Sequence, residues 1–263
     1  MKRSVIWGLV SVICAAVLLA FAAAPGHCAV KVGMGETIIT PPIGMGMAGY
    51  ARPKPSDGVH DDLHARSLVI EGNNGAATVL MTLAIVNIDR SFFNKIREEV
   101  NRQTGIPVQN IIISSTHTHS GPAVGKIDDP YSQTLIERSI ESAVTAWKNR
   151  VPGRVGFGAG VARELGKNDR RMQYGGMHAD PEVGIIKVED AKGKLLGVAF
   201  NYGCHPSTLD LHSFKFTEDW PYYSIRGIKE KVGKNVWVAF YQSAQGDSKV
   251  GYTAELSAVG AEM

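Results

Sequence analysis

Apolar and polar positions along this chain fall into two kinds of block. Short, nearly continuous apolar runs occupy residues 66–71, 78–87, 110–114, 154–160, 183–189, 195–204 and 236–242. Runs of that length bounded by turn residues predict strands. Two other stretches carry the three-and-four spacing of a helix face. One is Phe92, Phe93, Ile96 and Val100, stopped by Gly105 and Pro107; the other is Leu135, Ile136, Ile140, Ala143, Val144 and Trp147. Residues 187–194 join two strand patterns through a short Gly-containing turn, which predicts a hairpin. The order strand–helix–strand–helix and then mainly strands predicts an α/β fold: mixed β-sheets flanked by helices in a single layered domain. Residues 39–55 form a long Gly- and Pro-rich loop, in which Gly44, Gly46 and Gly49 permit close backbone approach to a ligand. They lack the strand–GxGxxG–helix order of a nucleotide site.

The N-terminus follows a different pattern. Lys2 and Arg3 precede an uncharged apolar run over residues 5–24, then Pro25-Gly26-His27-Cys28-Ala29. A basic start, an apolar stretch and a small-residue end predict a secretory signal over residues 1–29, leaving 30–263 as the exported domain. The expected location is secreted or periplasmic. An uncleaved membrane anchor is the alternative, since the run is nearly long enough to span a bilayer. With the signal removed, 28 basic side chains fall to 26 against 25 acidic ones, so the formal charge drops from +3 to +1. That balance gives no case for a nucleic-acid partner. Cys14 lies in the signal, Cys28 at its edge and Cys204 in a strand pattern, which excludes a disulfide framework. Cys204 precedes His205 along a strand, so the two face opposite ways and Cys204 reads as a core residue.

The candidate chemistry lies in Ser114-Ser115-Thr116-His117-Thr118-His119-Ser120-Gly121-Pro122, which follows the apolar run 111–113. In an extended backbone, i and i+2 share a face, so His117 and His119 are expected to reach out together from a strand end. A second strand ends in His205-Pro206. Three such histidines can hold one zinc ion and leave a position open for water. Asp219 is a candidate to orient a histidine or take a proton, with a capping role as the alternative. His60, the Arg170-Arg171 pair and His212 are weaker candidates. Asp128 and Asp129 read as turn chemistry.

Several segments resemble the N-terminal catalytic domain of the neutral/alkaline, non-lysosomal ceramidase family. They are Ile39-Thr40-Pro41-Pro42 with Met47-Ala48-Gly49-Tyr50, the stretch from Gly58 to Arg66, the His117/His119 segment, Asp180-Pro181-Glu182-Val183-Gly184, and Asn201-Tyr202-Gly203-Cys204-His205-Pro206-Ser207-Thr208. The resemblance runs from about residue 31 onward. It implies a zinc-dependent amidase that cleaves the N-acyl bond of ceramide or a related amide, with His117, His119 and His205 as metal ligands. The implied partner is a small-molecule or lipid amide, with peripheral membrane contact; no protein partner can be inferred. The family's glutamate and tyrosine ligands fall beyond Met263, so the resemblance suggests a C-terminally incomplete domain. The family's Gly-Asp-Val-Ser-Pro stretch reads Gly246-Asp247-Ser248-Lys249 here, with serine one position early and no proline. The family's catalytic serine is therefore not carried over; Asp247 is a candidate for a catalytic acid–base or supporting role, with a turn aspartate as the alternative. The rival reading is a non-catalytic remnant or binding module of the same family.

Overall fold

The computed structural model describes residues 30–163, 165–168 and 179–250. The expected signal, Arg170, Arg171 and the residues after 250 lie outside them. In chain order the elements are β1 (Val30–Ile38), β2 (Gly58–Val59), β3 (His64–Glu71), β4 (Ala77–Leu83), α1 (Arg90–Thr104), β5 (Ile111–Ser115), α2 (Pro130–Lys148), β6 (Val151–Val161), β7 (Gly166–Asn168), β8 (Glu182–Asp190), β9 (Leu195–Tyr202), β10 (Lys215–Phe216), α3 (Trp220–Val232), β11 (Trp237–Gln242) and β12 (Ser248–Val250). Eight strands form one sheet in the order β11-β9-β8-β6-β1-β3-β4-β5. The outer pairs, β11 with β9 and β4 with β5, are parallel and the inner pairings antiparallel. This is the mixed α/β layer expected from the pattern, and the predicted hairpin is the β8–β9 connection.

One core cluster joins the sheet to α1 and α2 through Ala65, Val69, Val79 and Met81 against Phe92, Ile96, Leu135, Ile136 and Ala143. α2 rides directly on β1. A β-carbon at Gly33 or Gly35 would run into the carbonyl oxygens of Ala146 and Ser142 respectively, so these glycines are what lets the helix backbone approach. The glycines also hid β1 from the apolar pattern.

The alternate residues of the same strands face another cluster: Val32 and Leu68 pack with Val188, Ala199, Trp237 and Ala239. Leu68 and Ala239 lie five strands apart in the sheet order, so the sheet folds over on itself. The Tyr241 hydroxyl closes the fold by donating to the Leu80 carbonyl at 2.8 Å. This curl positions the site. β5 and β9 stand six strand spacings apart, roughly 29 Å in a flat sheet at about 4.8 Å per strand, yet Gln242 Nε2 donates both to Thr116 O after β5 (3.0 Å) and to Cys204 O after β9 (3.1 Å).

α3 was not anticipated from the pattern. Its start reads Asp219-Trp220-Pro221, a capping acid with proline in the first turn, which is a legible signal. Ile225 seats it against Val236, Val238 and Phe240.

Candidate metal centre

His117, His119 and His205 come together at the join of the folded sheet, with one ring nitrogen from each within 4.8 Å of the others. The backbone route differs from the expected one. β5 ends at Ser115, and His117 has φ 68°, a left-handed conformation in which histidine is enriched among non-glycine residues. The two histidines therefore leave a turn rather than an extended strand. Between them Thr118 points inward, fully buried, and its hydroxyl donates to Thr217 O at 2.8 Å. His119 N–H donates to Pro206 O at 2.9 Å, which ties the two histidine-bearing loops together through the backbone.

The ring centroids of the three histidines stand 5.1, 5.1 and 5.3 Å apart. Three imidazoles bound at tetrahedral angles to one zinc, with zinc–nitrogen distances of about 2.0–2.1 Å, would place their centroids about 5.2 Å apart. His117 Nδ1 pairs with Val86 O at 3.0 Å and His205 Nδ1 with Ser248 O at 3.1 Å. Both carbonyls can only accept, so these Nδ1 atoms carry the proton and the Nε2 lone pairs are free for a metal. His119 Nδ1 is buried without a hydrogen-bond partner among the described residues. A buried polar atom left unpaired is costly, and a metal ion would satisfy it, so this donor set fits zinc. Burial and the neighbouring His117 and His205 push His119 down to about 4. Burial also lowers His205, although the Ser248 carbonyl opposes it. Neutral imidazole is the form that binds metal.

The loop of residues 39–57 wraps this centre. Ala48 N–H bonds Gly121 O and Ala123 N–H bonds Gly46 O. Tyr50 lies edge-on to the His119 ring at 4.9 Å. Arg52 fastens the loop with bonds to Ala48 O, Ser120 Oγ, Asp210 O and Ser213 O. Sequence reasoning placed the loop and its glycines near a ligand but missed Arg52 and Gln242, whose roles depend on contacts distant in sequence.

Beneath the histidines lies a buried polar layer. Glu218 is 1% exposed and accepts from Arg66 Nη1 at 2.7 and 2.9 Å and from His64 N at 3.0 Å. Asp61 accepts from Glu218 N at 2.8 Å and from the Thr217 hydroxyl. Asp219, also 1% exposed, serves as the cap: it accepts from Trp220 N (2.7 Å), Leu209 N (3.1 Å), and Thr208 N and Oγ1. Burial pushes its carboxyl up, against the pull of these donors. Its backbone, at φ 65° and ψ −149°, occupies a region that costs a non-glycine residue about 1–3 kcal/mol.

The remaining candidates sit elsewhere. Asp247 is exposed and accepts from Asn168 Nδ2 at 3.0 Å; it is not one of the clustered donors. His60 bridges Asp61 (2.8 Å) and the Tyr223 hydroxyl (3.0 Å). His212 is exposed on a turn, and Asp129 precedes α2 with its carboxylate accepting from Lys126 N at 2.8 Å in the turn before the helix. Cys204 is fully buried, and burial pushes its thiol up to about 12.

A mixed sheet folded so that three imidazoles meet at its join defines an α/β protein with a candidate three-histidine metal centre. The chain belongs to the neutral/alkaline non-lysosomal ceramidase family, whose N-terminal model it matches over residues 30–248. It is 23% identical over 205 residues to the neutral ceramidase of Pseudomonas aeruginosa, covering 68% of this chain and 30% of that protein. To neutral ceramidase 3 of Arabidopsis thaliana it is 27% identical over 163 residues, covering 54% and 21%. The crystal structure of the Pseudomonas aeruginosa enzyme superposes with a TM-score of 0.76 at 22% identity, over 85% of this chain and 40% of that one. A ceramidase complexed with C2 superposes at 0.77, also with 22% identity, over 84% and 39%. The chain thus spans between about a fifth and two fifths of the length of these relatives.

Proposed function

We propose that this protein is an exported zinc-dependent amidase that hydrolyses the N-acyl amide bond of ceramide or a related N-acyl amide. The observation that carries the reading is the convergence of His117, His119 and His205, with the buried His119 Nδ1 left unpaired. Zinc held there lowers the pKa of a bound water to about 7 and polarises a carbonyl. The chain's own contribution is to hold three neutral imidazoles in place: Val86 O and Ser248 O fix two tautomers, and Pro206 O fixes the His119 backbone. Asp247, whose Oδ2 accepts from Asn168 Nδ2, is the candidate proton carrier of this reading. Family membership and the names of the relatives support an amide substrate of lipid type. No helix among the described residues is long and apolar enough to cross a membrane.

A second reading is a metal-binding module without turnover. It is favoured by the donor set, three imidazoles with no carboxylate among the described residues. One experiment separates the two. The purified chain is analysed for zinc, then assayed for release of fatty acid from a short-chain ceramide and from N-acyl amino acids, with and without chelator. Stoichiometric zinc with chelator-sensitive release supports the amidase. Zinc without release supports the module, and absence of zinc binding overturns both.

A further inference from the structure

The structure assigns Asp219 as the positioning residue of the metal centre: its buried carboxylate, held by a strained backbone, fixes the 205–209 loop and so sets where His205 presents its ring. The inference rests on the reading of the three histidines as zinc ligands and adds to it a residue that touches none of them. Both non-glycine residues with positive φ among the described residues belong to this assembly, His117 and Asp219. Strain of this kind persists only where surrounding contacts over-determine it. Around Asp219 they do. Thr208 N–H and hydroxyl and Leu209 N–H converge on the carboxylate from the loop carrying His205, and Trp220 N–H reaches it from α3. The next side chain continues the linkage, since Trp220 Nε1 donates to His205 O at 3.1 Å. Asp219 and Trp220 together thus join the first turn of α3 to both ends of the loop, Trp220 at His205 O and Asp219 at Thr208–Leu209. The same loop supplies Pro206 O to His119 N–H, so a shift in it displaces two candidate ligands together.

The carboxylate is specifically required. Both of its oxygens receive N–H donors. In Asp219→Asn the amide group would turn its own N–H toward one set of them. Residues that orient metal ligands through such contacts change metal affinity by about 10–100-fold when removed.

The test measures zinc affinity and apo-protein melting temperature for wild type, Asp219→Ala, Asp219→Gly and Thr208→Val. Asp219→Gly relieves the backbone while deleting the carboxylate, and Thr208→Val removes only the hydroxyl donor, which keeps a folded variant in hand. The expected result is about a tenfold or greater loss of zinc affinity in both Asp219 variants and a smaller loss in Thr208→Val. Asp219→Gly should melt no lower than Asp219→Ala. The His205 Nδ1–H proton, seen by NMR in the apo wild type, should exchange faster in every variant. Folded variants that bind zinc like wild type, even with a lowered apo melting temperature, overturn the assignment and leave Asp219 a helix cap. If wild type itself binds no zinc, the metal reading fails; an unchanged His205 signal in the variants separately refutes positioning.

Discussion

Gly49 lies so close to His119 that a β-carbon on the glycine would stand 2.5 Å from the histidine Cα and 2.7 Å from its Cγ. Gly49 also has φ 94°, a conformation that disfavours any side chain. The loop backbone is therefore one wall of the candidate metal centre. Gly49→Ala is expected to push His119 out of register and weaken zinc binding by about tenfold or more, by analogy with other losses of ligand orientation. Isothermal titration against wild type checks it, with Gly44→Ala as control, because Gly44 has a similar φ but open space around it.

His117→Ala is expected to strip most of the bound metal. It removes one of three imidazoles and frees the Val86 carbonyl. His212→Ala, on the exposed turn, should leave zinc content unchanged. Elemental analysis of both purified variants decides the matter.

The Glu218–Arg66 pair predicts an acid-side loss of stability. Burial alone would raise Glu218, but Arg66 and His64 outweigh it and hold the carboxyl below the ordinary value of 4.5. As pH falls, the unfolded chain takes up this proton first. The contribution is thus complete above the ordinary glutamate value and is lost as pH drops through the lower folded one. Glu218→Gln removes one of the two carboxylates paired with the buried Arg66 guanidinium, leaving Glu36 at 3.1 Å, and should cost up to about 3–5 kcal/mol at neutral pH. Urea midpoints measured from about pH 6 to about pH 3 should fall for wild type and much less steeply for the variant.

Export is expected to remove the first 24 to 29 residues, because a basic start and an apolar run end there in small residues. N-terminal sequencing of secreted material checks this. An intact Met1 in the membrane fraction would show an anchor instead.

The apolar pattern located seven of the eight sheet strands and two of the three helices because those segments bury continuous or periodic side chains. β1 escaped because Gly33 and Gly35 are there to admit α2, a reason invisible until the helix is placed. The pairs β2–β10 and β7–β12 are two or three residues long, too short to carry any periodicity. The three histidines were legible, but for a partly mistaken backbone reason. His117 and His119 share a side through a left-handed turn, and the meeting with His205 depends on a fold-over that no local pattern encodes. Asp219 was legible as an acid near the site, while its link to His205 required the loop and α3 in three dimensions.

The fold-over also bears on how the site is assembled. Thr116 and Gln242, whose bond marks the join, are 126 residues apart, and contacts of such separation form slowly because a long loop must close first. Before closure an ion meets only the His117–His119 pair. The full donor set exists only where the two histidine loops meet, tied by His119 N–H to Pro206 O. On the zinc reading, metal capture would then report completed topology, because a chain whose two histidine loops have not met lacks the full set of three imidazoles.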